Sequence, residues 1–120
     1  MAATYSDLYI DQGADYAVSI ETASLGDFAA GEEPFDISGY ELFGSMKKSY
    51  GSTVETPFTF DLTDAASGML YARLSSAVTL LLRPGRYVYD IFARNSTTGV
   101  IQKLLEGMAE VSPRATSIPQ

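Results

Sequence analysis

The sequence predicts an all-β fold, an antiparallel β-sandwich of about seven strands with one short helix between strands. Three observations carry that expectation. Apolar and polar residues alternate at period two in segment after segment, which turns one face of each strand toward a core. Aromatic residues make up 12% of the chain, as 8 tyrosines and 6 phenylalanines without tryptophan, a bias toward pleated structure. Clusters of Gly, Pro, Asn, Asp and Ser separate the segments, as turns do. One domain over residues 1–120 is expected, because 120 residues with 46% hydrophobic content can build one core.

The elements follow in order. Leu8-Tyr9-Ile10 is a short strand, broken at Gln12-Gly13. Tyr16, Val18 and Ile20 alternate with Ala17, Ser19 and Glu21 as a half-buried strand. Residues 22–34 are small, acidic and Gly-containing, and read as a loop. Tyr40, Leu42, Gly44 and Met46 share one strand face, with Phe43 on the other. A large apolar residue there suggests a second contact surface or cover from a loop, and Gly44 marks a bulge or a close backbone approach. Residues 50–53 are a connection. Phe58, Phe60 and Leu62 alternate with Thr59, Asp61 and Thr63, and a loop ending at Gly68 returns the chain along Leu70, Ala72 and Leu74 as a hairpin. Ser75 is a helix N-cap, and apolar residues at 78, 81 and 82 keep helical spacing until Pro84-Gly85 ends the helix. Tyr87, Tyr89 and Ile91 alternate with Val88, Asp90 and Phe92, a central strand because both faces are partly apolar. Residues 100–111 form a long last strand whose burial switches faces, through a bulge expected at Gly107. Short polar arms at 1–6 and 114–120 are expected to order only on assembly.

The segment Leu82-Arg83-Pro84-Gly85-Arg86-Tyr87-Val88-Tyr89-Asp90 refines the class. In immunoglobulin-like sandwiches a tyrosine stands at the corner leading into a central strand, two residues before a core position that antibody domains fill with cysteine. Tyr87 fits the corner and Tyr89 the core position, so the expectation becomes an immunoglobulin-like sandwich. With zero cysteine, only packing joins its two sheets.

Composition narrows function. Net charge is −7, and every basic residue lies at or after Lys47, leaving the first third purely acidic. Nucleic acid is excluded as a partner, because phosphate contacts need cations. No run approaches ~18 apolar residues, so no membrane span is expected, and the N-terminus lacks the basic and apolar regions of a signal peptide. The absence of cysteine fits a reducing compartment. Zero histidine removes the commonest general base and metal ligand, and with it a hydrolase triad.

The remaining candidates for chemistry are weak. Asp61 and Asp64 flank a turn near Asp90, but aspartates in turns ordinarily bond their own backbone, so no metal is expected. Glu32-Glu33 lacks surroundings that would raise the pKa of one member. Lys103 is the single lysine worth testing as a Ser–Lys base, and reads better as an exposed strand residue. Asn95-Ser96-Thr97 matches a glycosylation sequon without a secretory context. No catalytic residues, cofactor or small-molecule substrate are therefore expected. Exposed aromatics Phe43, Tyr50 and Tyr71 are the candidate partner-binding residues, and in a carbohydrate-binding module they would form the sugar patch.

A resemblance spans about Asp7 to Thr116. Phe35-Asp36-Ile37-Ser38-Gly39-Tyr40, then Gly68 to Leu74, Leu82 to Asp90 and Gly99 to Pro113 follow in order, with PGRYVYD and LLEGMAEVSP as the best-matched words. Together these resemble small virion structural proteins of tailed phages, especially of tailed cyanobacterial phages. The layout is also similar to the immunoglobulin-like N-terminal adaptor domain of siphophage upper-baseplate proteins. That resemblance implies a non-enzymatic assembly component, made in the host cytoplasm and residing in the virion. It would be present in many copies against other virion structural proteins, as an adaptor or decoration module of the tail, baseplate or neck, or as a cement protein on the capsid head. Such adaptors continue into a fibre region that this sequence lacks, which implies a free-standing decoration, adaptor or plug.

Overall fold

The computed structural model describes residues 4–21 and 37–117. Among these residues, nine strands lie in two facing sheets: β1 (Thr4–Tyr5), β2 (Leu8–Asp11), β3 (Tyr16–Glu21), β4 (Tyr40–Lys47), β5 (Glu55–Pro57), β6 (Thr59–Asp61), β7 (Met69–Leu74), β8 (Gly85–Asn95) and β9 (Ile101–Ser112). A 3-10 turn (Ala65–Ser67) precedes β7, and helix α1 (Ser76–Leu80) joins β7 to β8. The larger sheet runs β1-β9-β8-β4-β5 with β2 also on β9, and the smaller runs β3-β7-β6. This is an immunoglobulin-like sandwich, with the strand added beyond β4 that variable-type domains carry. The expected loop at 22–34, the Glu32-Glu33 pair and the first two residues of the Phe35 to Tyr40 word fall outside the described residues.

Alternation builds the core. Ile20 from β3, Met46 from β4, Leu70, Ala72 and Leu74 from β7, and Tyr89, Ile91 and Ala93 from β8 all turn inward and are buried. Phe58 meets Tyr89 edge-on, ring centroids 6.1 Å apart at 82°, so the position where antibody domains carry cysteine is filled by a ring packed against a ring. The Tyr87 hydroxyl donates to the Arg83 carbonyl at 2.8 Å, the geometry of a tyrosine corner.

Several elements depart from expectation. The segment expected as one strand from Phe58 to Thr63 belongs to a chain that changes sheets. β5 pairs β4 in the larger sheet, with Pro57 tolerated because β5 is an edge, and β6 pairs β7 in the smaller. Phe58 sits at the step, its amide bonded to the Gly44 carbonyl at 2.9 Å. Gly44 marks a close approach and no bulge: a Cβ there would lie 2.9 Å from Ile91 and 3.0 Å from Phe60, while its register with Ile91 is regular.

The bulge of the last strand is at Leu104, between the pairs Ile91–Leu105 and Phe92–Lys103, which lets Leu104 and Leu105 both be buried. Gly107 has another task. A Cβ on it would stand 2.1 Å from the Ser6 carbonyl oxygen, so the N-terminal strand can cross only over a glycine. Thr4, Tyr5 and Ser6 are accordingly not an arm. β1 and β2 pair in parallel with β9, and Ser6 and Tyr89 bond across the junction. Among the described residues, every other strand pair is antiparallel. Of the C-terminal arm, residues 114–117 are exposed and outside any strand, with the Arg114 amide bonded to Gln12 at 3.4 Å.

The helix forms where Ser75 caps it, its Oγ accepting from the Val78 amide. The buried face differs from the apolar spacing. Leu82 is buried, but Leu81 is 83% exposed, and the fully buried helical residue is Thr79. Its hydroxyl donates to the Ala14 carbonyl at 2.8 Å and accepts from the Gly13 amide at 3.1 Å, tying the helix to the β2–β3 turn. A threonine wins that position because the turn offers hydrogen-bonding partners that a leucine would bury unsatisfied.

Candidate functional site: an aromatic groove on the larger sheet

The outer face of the larger sheet carries a groove of about 240 Å³. Three cross-strand pairs between β4 and β8 line it: Phe43 opposite Phe92, Ser45 opposite Asp90, and Lys47 opposite Val88. Tyr50, from the β4–β5 connection, and Glu55 on β5 complete its wall. Phe43 is 44% exposed and Tyr50 63% exposed. Phe43 faces outward because its strand neighbours Leu42 and Gly44 face the core.

Salt bridges surround the groove. Arg94 pairs with Glu41 at 2.7 Å and lies 5.0 Å over the Phe43 ring. That guanidinium holds the Glu41 carboxyl below its ordinary range, and Glu41 in turn raises Arg94. Lys103 pairs with Glu106 at 3.5 Å and lies 5.5 Å over the Phe92 ring. Lys47 pairs with Glu55 at 3.8 Å, and Glu55 also accepts the Ser45 hydroxyl. Lys103, the candidate base, is thus committed to an ion pair and a ring.

Asp90 stands apart. It lies mid-strand in β8, directly opposite Glu106 on β9, and has no ion pair among the described residues. Desolvation raises its carboxyl above the ordinary range, and Glu106 and Glu55 push the same way against Lys103 and Lys47. Asp61 and Asp64 lie on the smaller sheet's side, away from Asp90. Asp61 accepts from Thr63 and pairs with Arg73 at 3.2 Å, which lowers its pKa, and Asp64 accepts the Tyr71 hydroxyl at 3.2 Å. Among the described residues, no three of His, Cys, Asp and Glu gather as metal ligands would.

Of the three candidate partner-binding residues, the structure brings Phe43 and Tyr50 together in the groove. Tyr71 is on β7 between the buried Leu70 and Ala72, so it faces out from the other sheet. The three do not make one patch. Phe92 and Asp90, which sequence reading left as strand residues, join the site instead. The signal available in the sequence was an aspartate inside an aromatic strand word, YVYDIF. Among the described residues, no helix is long and apolar enough to cross a membrane.

No family model and no curated protein matches the chain. Solved structures do. InlP of Listeria monocytogenes is similar over 92% of this chain at 15% identity with a TM-score of 0.48, and this chain spans 28% of that one. The NK cell receptor NKp44, described as a triggering partner in natural cytotoxicity, is similar over 93% of this chain and all of its own, at 15% identity and a TM-score of 0.42.

Proposed function

We propose that this chain is a non-enzymatic protein-binding module that uses the outer face of its larger sheet. The observation that carries the reading is the groove: exposed Phe43 and Tyr50 beside Phe92, rimmed by ion pairs, on a sheet face that the described residues leave uncovered. Aromatic anchors within a charged rim are how protein interfaces concentrate binding energy. The sequence resemblance to tailed-phage virion proteins supplies the partner. On this reading the module is an adaptor or decoration protein of the tail, baseplate, neck or head, held in many copies against other virion structural proteins. Sedimentation of the purified chain with phage particles lacking it tests this. Saturable co-sedimentation, reduced by Phe43→Ala and unchanged by Tyr71→Ala, is expected. A chain that stays an inert monomer and never sediments with particles overturns it.

A further inference from the structure

Three cations of this protein are each held by one carboxylate and one aromatic ring. Arg94 has Glu41 and Phe43, Lys103 has Glu106 and Phe92, and Arg73 has Asp61 and Tyr71. The groove also offers a carboxylate and a ring in its lining, Asp90 and Tyr50, and no cation of the described residues forms an ion pair with that carboxylate. The nearby cations are already committed, Lys47 to Glu55 and Lys103 to Glu106.

Asp90 is also a poor choice for its place in the fold. Aspartate is disfavoured in strands. Glu106 stands directly across from it, and like charges opposite one another destabilise a sheet. Its carboxylate is half-buried in a groove walled by Phe43 and Phe92. Residues that break several local rules at once mark functional positions.

We propose that the groove receives an arginine side chain of the protein partner, its guanidinium paired with Asp90 and stacked on Tyr50. This inference rests on the binding reading above and names the chemistry of its central contact. Arginine fits better than lysine because its planar, weakly hydrated head both pairs with a carboxylate and stacks on a ring. The net charge of −7 favours approach of such a basic partner.

The test uses the full chain and the probe acetyl-Gly-Arg-Gly-amide, followed by amide chemical shifts. The same peptide with citrulline, equal in shape but uncharged, is the control. Saturable shifts confined to the amides around Ser45, Tyr50, Asp90 and Phe92 are expected with arginine and not with citrulline. Asp90→Asn should weaken that binding by on the order of tenfold while keeping the native spectrum. Tyr50→Leu, on an exposed connection, provides a second variant with a smaller loss. Equal shifts from the citrulline peptide, shifts elsewhere, or full affinity in Asp90→Asn would overturn the proposal. Particle sedimentation separates the two readings. Co-sedimentation of wild type and Asp90→Asn alike removes the arginine contact and keeps the module. Arginine binding without co-sedimentation keeps the contact and removes the virion.

Discussion

The two sheets present opposite kinds of outer surface. On the smaller sheet each carboxylate and aromatic near β6 and β7 has a partner: Asp61 holds Arg73 and Thr63, Asp64 accepts from Tyr71, and Thr59 donates to the Arg73 carbonyl. That surface is closed on itself. On the larger sheet the ion pairs stand around the rim, and the middle holds exposed rings and an aspartate facing a glutamate. The contrast is between carboxylates bonded within their own face and a groove carboxylate, Asp90, that joins no ion pair among the described residues. Ion pairs on either face contribute little stability, so their placement is informative mainly through Asp90, the groove carboxylate that none of these pairs includes.

The contrast can be broken at its foundation. The larger sheet is widened by β1 and β2, which reach β9 only by passing over Gly107. Gly107→Val should expel that crossing and cost about 3 kcal/mol, the range for forced overpacking. Chemical denaturation measures it, and a variant as stable as wild type would mean that the N-terminal strands are not seated there. A milder cut at the same junction is Tyr89→Phe, which strips the Ser6 carbonyl of its donor. A loss of about 1.5 kcal/mol is expected by the same measurement. No loss would show that water replaces the hydroxyl.

Two aspartates then sharpen the comparison, because their substitutions should have opposite signs. The Asp90 carboxyl is raised in the fold, so its ionisation opposes folding at neutral pH. Asp90→Asn should stabilise by about 0.5 kcal/mol at pH 7, the size of a like-charge cross-strand penalty. The gain should shrink as pH falls through the raised pKa, where Asp90 itself becomes neutral. The groups facing it are Lys47 and Glu55 on one side and Lys103 and Glu106 on the other. The Asp61 carboxyl is lowered by Thr63 and Arg73, so its stabilisation is present above the ordinary aspartate pKa and lost as pH falls through the lowered one. Asp61→Asn should therefore lower Tm slightly at pH 7 and converge with wild type in acid. Thermal melts between pH 7 and pH 3 read both, and matching signs would erase the distinction between the faces.

Much of the sandwich was legible in the sequence because its signals are local. Strand alternation in Tyr16 to Ile20 and Tyr87 to Ile91, the hairpin that closes at Gly68, and the Ser75 cap each depend on neighbours a few residues away. What was not legible depends on distant contacts. Gly107 reads as a bulge because nothing near it shows that Ser6, a hundred positions earlier, crosses there. Residues 58–63 alternate as one strand, but nothing in that alternation shows that residues 55–57 pair with the other sheet and that the chain steps across at Phe58, against Gly44. The parallel seating of Thr4 and Tyr5 follows from an edge that β9 leaves open. The groove was half legible. Phe43 on a polar face announced an outward surface, but its partner Phe92 is 49 positions on, and Tyr71 lands on the opposite sheet through strand order alone.

Hydroxyl-radical footprinting of the chain bound to the partner proposed above tests the central claim most directly, because both faces carry reactive rings. Protection of Phe43, Tyr50 and Phe92, with Tyr71 as reactive as in the free chain, is the predicted result. Protection of Tyr71 while Phe43 and Tyr50 stay reactive would contradict the account.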